Sequence, residues 1–169
     1  MISTGCDRLT AIMRGNELAG FLHKALEIER AFETIAEWEG YVSVKKKEFR
    51  KVLFQLVSDS SGHERVVESL LKMVHAGNDN GGLPLQSRAF NFGGKNESEV
   101  MSEISRIENI MFDLYSDIRE ALQDSDIPKL LIDKENTAPF MTALDSLIAD
   151  EARHMSIVSK YVRKLDRLR

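Results

Sequence analysis

Glu151 and His154 stand three residues apart in the run "PFMTALDSLIADEARHMSIVSKYVRKL", on the side of a helical pattern that otherwise carries apolar residues. Stepping about 100° per residue puts Glu151 near the centre of the apolar arc and His154 at its edge. A carboxylate aimed into a core is costly unless something neutralises it. An earlier run, "SDSSGHERVV", repeats the pattern with one change: superposing Leu53 on Leu144 puts Ser60 where Glu151 sits and His63 where His154 sits. In a third run, Glu108 flanks the apolar stripe between Ile104 and Met111 or Phe112, and Tyr115 points the same way two turns later. In the first run Glu29 is the glutamate nearest the apolar centre, with Glu33 one turn on and Glu27 facing away.

Glu29, Ser60 with His63, Glu108, and Glu151 with His154 are thus expected at one level of a shared core. Three converging carboxylates repel one another and raise their own pKa values unless compensated. Divalent cations provide the compensation. Mixed imidazole and carboxylate donors suit iron or manganese, and also zinc, whereas magnesium and calcium want more oxygen. The one cysteine, Cys6, can form neither an intrachain disulfide nor a thiolate cage. The rival reading is a buried hydrogen-bonded Glu151–His154 pair without metal, closed by Tyr115 or by an arginine such as Arg153 from a partner chain. His23 and His75 fall on the surface and are assigned nothing.

Four segments with apolar residues at helical spacing carry these groups. They run from about Asn16 to Val44, from Lys45 or Lys47 to His75, from Asn96 through Leu122, and from Asn136 or Thr137 through Leu165. Asn96 in "NESE" is a capping residue for the third, and Pro139 in "NTAP" fits the first turn of the fourth. No stretch reads as a strand. The Gly- and Asn-rich segment between the second and third, about 76–98, is too long for a tight turn and suits a crossover. A short extra helix is expected at "IPKLLID", and residues 1–15 read as an N-terminal extension. The expected architecture is all-α: a single-domain four-helix bundle of ferritin-like connectivity with a long central crossover.

These residues resemble the ferritin-like, rubrerythrin-type superfamily of di-iron carboxylate proteins, whose motif is one Glu from each of two helices and a Glu-x-x-His from each of the other two. "EARH" matches one Glu-x-x-His in full, within "LIADEARHMSIV". "IENIMFDLY" is similar to the family's third helix, with Glu108 as ligand and Tyr115 as the tyrosine seven residues later. "ALEIERAF" is similar to the first helix; face favours Glu29 as its ligand, and spacing to His63 favours Glu27. The second helix departs, because Ser60 replaces the glutamate that in the family bridges or chelates the metals. Glu64, or Asp59 in a distorted helix, is a substitute, and Asp59–Ser60–Ser61–Gly62 are poor helix-interior residues that admit a local bulge.

The resemblance implies metal ligands Glu29, His63, Glu108, Glu151 and His154, with Tyr115 as a hydrogen-bond donor or redox participant. It implies a di-iron or single-metal oxidoreductase acting on dioxygen or peroxide and supplied by an external electron donor, since no four-cysteine rubredoxin module is present. With one metal, the set is His154, Glu151, Glu108 and His63. The alternative is a non-catalytic helical interaction protein with a vestigial site and no metal. It would pair as a homodimer through an outer strip such as Ile110 with Phe112.

With 169 residues, 43% hydrophobic and 30% charged, the chain has the composition of one globular domain. A net charge of -4 gives no general attraction to nucleic acid or anionic membrane. "KKKEFRK" and "RKLDRLR" read as solvated helix faces. No apolar run is long enough to span a bilayer, and no signal-peptide order opens the chain, so the expected location is the cytoplasm.

Overall fold

The computed structural model describes residues 11–12, 14–35, 45–76 and 92–166. Among these the chain is all-helical, with no strand beyond one isolated bridge. Four long helices dominate: α1 (Gly15–Ile35), α2 (Lys47–Met73), α3 (Glu97–Ala121) and α5 (Thr137–Asp166). A short α4 (Ile127–Leu130) and a 3-10 turn (Lys134–Asn136) connect α3 to α5. No helix of the described residues is long and apolar enough to cross a membrane.

Each long helix buries one stripe. Leu18, Leu22, Ala25 and Phe32 of α1 meet Phe49, Leu53, Leu56 and Val67 of α2, Ile104, Ile107, Met111 and Ile118 of α3, and Phe140, Leu144, Leu147 and Val158 of α5 in one core. Burying a large aliphatic or aromatic side chain is worth about 1.5–3 kcal/mol, so this stripe rather than helix propensity holds the elements. α1 packs along α2 and α3 along α5, while α2–α5 and α1–α3 contacts join the two pairs.

Local signals fix the helix ends. Asn96 Oδ1 accepts from the Ser98 and Glu99 backbone N–H groups at 3.0 and 3.1 Å, and Glu99 Oε2 accepts from the Asn96 N–H at 2.8 Å. This reciprocal capping box satisfies donors that the first turn leaves open. Ahead of it Gly94 adopts φ 73°, a left-handed turn conformation that glycine takes without steric cost.

The second segment ends earlier than its apolar pattern suggests. After Met73, Val74 is extended and forms an antiparallel bridge to Leu131; His75 N–H donates to Leu130 O at 2.7 Å and Ile132 N–H to Met73 O at 2.8 Å. The α4 connection thereby captures the end of α2. Gly15 packs against this junction, and a Cβ there would meet the His75 carbonyl oxygen at 2.1 Å.

Two expectations change. Ile12 is buried in the core and Gly15 already belongs to α1, so the 1–15 segment is not wholly an extension. α2 passes through Asp59–Gly62 as continuous α-helix, with no bulge. Residues 1–10, the end of the first segment at 36–44, and most of the expected crossover at 77–91 lie outside the described residues.

Candidate metal centre

The four long helices bring Glu29 (α1), Ser60 and His63 (α2), Glu108 and Tyr115 (α3), and Glu151 and His154 (α5) to one level of the core, each at most 5% exposed. The groups form two triads. Glu29, His63 and Glu151 make one, and Glu108, Glu151 and His154 the other; within each, one potential ligand atom per residue lies within 4.8 Å of the others. These buried clusters can hold a metal ion.

Glu151 belongs to both. Its Oε1 lies 2.9 Å from His63 Nδ1, and its Oε2 lies 3.7 Å from His154 Nδ1. His63 Nδ1 is also 3.3 Å from Glu29 Oε1, and His154 Nδ1 is 3.1 Å from Glu108 Oε2. The imidazoles stack with centroids 5.5 Å apart. Both rings therefore turn Nδ1 toward the carboxylates and Nε2 outward.

The outward nitrogens meet aspartates from the opposite helix. His154 Nε2 is 3.0 Å from Asp59 Oδ2 of α2, and His63 Nε2 is 3.6 Å from Asp150 Oδ2 of α5. Arg153 spans the two aspartates, donating to Asp59 at 3.1 Å and to Asp150 at 3.0 Å. His63 Nε2 is buried and lacks a hydrogen-bond partner among the described residues. A cation on His63 Nδ1 would require the proton on Nε2, with Asp150 as the carboxylate facing it. The orphaned atom fits the tautomer that metal binding demands.

Glu29 is held from two sides. Tyr115 donates its hydroxyl to Oε1 at 3.1 Å, while Ser60 donates to Oε2 and lies 3.3 Å from the Glu29 carbonyl oxygen. Ser60, standing where its pseudo-repeat has Glu151, therefore orients another carboxylate instead of supplying one. A small cavity lies between these groups, lined by Glu29, Ser60, His63, Glu108, Glu151 and His154, with Phe32, Leu56, Ile107 and Met111 among its apolar walls.

Burial alone would lower the pKa of His63, but Glu151 and Glu29 outweigh it and raise it to about 10. His154 follows the same balance: burial lowers, Glu108, Glu151 and Asp59 raise, and the result is about 10. Burial together with Glu151 pushes the Glu108 carboxyl up. Burial also disfavours the Glu151 carboxylate, yet the bonds from His154, His63 and Glu108 hold it well below the usual range. Burial, then the nearby Glu29 and Glu151 charges, keeps Tyr115 neutral by raising its pKa. Without metal, protons on the two imidazoles occupy the space between the carboxylates and compensate them.

All six residues singled out from the sequence converge here. Between Glu27 and Glu29, Glu29 is the buried one and Glu27 is exposed. Glu64 does not substitute for the missing glutamate, because it turns outward to Arg30 at 2.7 Å. Asp59 does not join the inner donors either; it holds His154 from behind. Arg153 pairs with Asp59 and Asp150 of its own chain. The cross-helix placement of Asp59 and Asp150 escaped sequence reasoning, although each stands four residues before its histidine. His23 and His75 are exposed, and Ile110 and Phe112 are half-buried.

Searches against protein-family models, curated proteins and solved structures returned no match to this chain.

Proposed function

We propose that this chain is a ferritin-like four-helix metalloprotein that binds two divalent cations, one held by Glu29 and His63, the other by Glu108 and His154, with Glu151 shared between them. The observation that carries the reading is Glu151, whose two oxygens face different histidines. The packing of α1 on α2 and α3 on α5, with α2–α5 and α1–α3 contacts between the pairs, supports a bundle joined by a crossover between α2 and α3. Mixed nitrogen and carboxylate donors favour iron or manganese, with zinc as the redox-inert competitor.

Bound iron or manganese would supply electron exchange with dioxygen or peroxide, the oxidoreductase chemistry proposed for the site, with an external electron donor. The chain's own residues prepare that setting. Asp59 accepts from His154 Nε2–H and so leaves Nδ1 as the inward donor. Tyr115 and Ser60 hold Glu29 in one rotamer. Phe32, Leu56, Ile107 and Met111 wall the cavity with apolar surface and restrict water. Titrating chelator-treated protein with ferrous or manganous ion tests the reading: saturation at two equivalents per chain supports it, and no binding above the background of a Glu151→Gln, His154→Gln double variant refutes it.

One observation favours a second reading. The imidazolium protons already neutralise the cluster, with both histidines near pKa 10. On this reading the core is a metal-free hydrogen-bonded network, and the domain is a helical interaction module pairing as a homodimer through the strip that includes Ile110 and Phe112. It predicts that exhaustive chelation leaves the melting temperature unchanged. The metalloprotein reading predicts a lower melting temperature after chelation, because a cation that binds only the folded state stabilises it.

A further inference from the structure

We infer that Arg153 is a positioning residue that sets the two halves of the centre apart: it holds the Asp150 carboxylate on α5 away from His63, so the cation beside Glu29 and His63 is the weaker of the two. The order of affinities rests on the two-cation reading above; the hold on Asp150 does not.

Asp59 and Asp150 each stand four residues before the histidine of their own helix and face the histidine of the other. Only one of these pairs closes. His154 Nε2 reaches Asp59 Oδ2 at 3.0 Å, whereas His63 Nε2 stays 3.6 Å from Asp150 Oδ2, beyond hydrogen-bond length, and is buried with no other partner among the described residues. A buried polar atom left open is unfavourable, and a small turn of the Asp150 carboxylate would satisfy it. Something therefore holds Asp150 back.

Arg153, one turn on in α5, is what holds it. Its guanidinium donates to Asp150 Oδ1 from Nη2 at 3.0 Å and from Nε at 3.4 Å, which commits the carboxylate and leaves its other oxygen short of His63. Asp59 is not held in this way. It takes Arg153 Nη2 at 3.1 Å and His154 Nε2 at 3.0 Å on the same oxygen, so the guanidinium costs His154 nothing. On α2 the residue three after Asp59 is Gly62, where α5 has Arg153 three after Asp150, so Asp59 has no guanidinium on its own helix to draw it from the opposite imidazole. A group behind a ligating histidine fixes the ring and raises its basicity, and its loss weakens metal binding about 10–100-fold. His154 has that group and His63 lacks it.

Nuclear magnetic resonance of metal-free protein, isotope-labelled at the histidine nitrogens, reads the two Nε2–H groups separately, and titration with manganese(II) reads the two affinities. In the wild type the His154 Nε2–H is expected well downfield of the His63 Nε2–H. Arg153 is exposed, so its replacement leaves the core intact. Arg153→Leu, with Arg153→Met as a second form, is expected to move the His63 signal downfield as Asp150 closes on it. The same change should tighten the weaker manganese step about tenfold and leave the tighter step in place, and adding Asp150→Ala should cancel the downfield shift. Two wild-type signals that coincide overturn the inference, as does a His63 signal that stays put in either folded variant. Equal tightening of both manganese steps also overturns it, because the loss of a positive charge alone would do that. Fewer than two manganese ions per wild-type chain overturn the two-cation reading and the order of affinities with it, while the His63 signal still decides whether Arg153 holds Asp150.

Discussion

Asp59 Oδ2 sits 3.0 Å from His154 Nε2, a contact between α2 and α5 that fixes which face of the imidazole looks into the core. Its counterpart, Asp150 to His63 Nε2, is longer at 3.6 Å. The two aspartates make the centre nearly symmetric, and the difference in distance makes the His154 half the better prepared for a cation. Removing the support in Asp59→Ala is expected to weaken the tighter metal about 10–100-fold, the usual cost of losing the group behind a ligating histidine. Chelator competition measures it, and circular dichroism should show unchanged helix content. An unaltered affinity would mean that His154 is not a ligand.

Tyr115 is fully buried and gives its hydroxyl to Glu29. Tyr115→Phe keeps the ring and deletes the donor, leaving that Glu29 oxygen with one bond fewer. A hydrogen bond to a charged group is worth about 1.5–3 kcal/mol, and metal-free Tyr115→Phe is expected to lose stability of that order in urea unfolding. A loss near zero would show that Ser60 and His63 suffice for Glu29.

On the two-cation reading protons and cations compete for the same nitrogens, which predicts opposite pH responses with and without metal. In the folded metal-free protein His63 and His154 stand near pKa 10, above the unfolded value of about 6.5. The stability they contribute is fully present below pH 6.5 and is lost as pH rises through 10. Glu108, also raised, acts in the same direction at lower pH. Metal binding requires neutral imidazole and releases those protons. Melting temperatures taken from pH 6.5 to 9.5 should therefore fall for chelated protein, while metal affinity rises. Parallel trends in the two series would contradict exchange of protons for cations.

The shared carboxylate predicts an asymmetric mutational series. Glu29→Gln and Glu108→Gln should each leave one cation per chain, because each touches one triad. Glu151→Gln should abolish tight binding of both. Native mass spectrometry of metal-saturated variants reads the count directly. Equal loss in all three variants would point to a single site assembled from all the groups.

Much of this centre was legible in the sequence because inward-facing polar groups interrupt a strong helical period. Glu151 with His154, Glu108 and Glu29 could each be placed on a face by angle alone, and the capping run at Asn96 marked a helix start that the structure reproduces. Relations between helices were not legible in this way. Nothing in the period of α2 says that Asp59 reaches a histidine 95 positions away, or that Arg30 of α1 draws Glu64 outward. Propensity also misled: Asp59–Ser60–Ser61–Gly62 suggested a bulge, yet α2 continues because Leu56, Val57 and Val67 are anchored on either side and Ser60 finds an acceptor in Glu29. The end of α2 at Met73 depended on a backbone bridge to Leu131, which leaves no trace in side-chain pattern.

The central claim is that acidic and imidazole groups from four helices meet here in order to hold cations. Anomalous diffraction from crystals of metal-saturated protein, collected across the absorption edge of the added metal, tests it in one measurement. Two peaks flanking Glu151 are predicted, one beside Glu29 and His63 and the other beside Glu108 and His154. A map with no peak in this core, or with metal bound only at surface groups, would contradict the account.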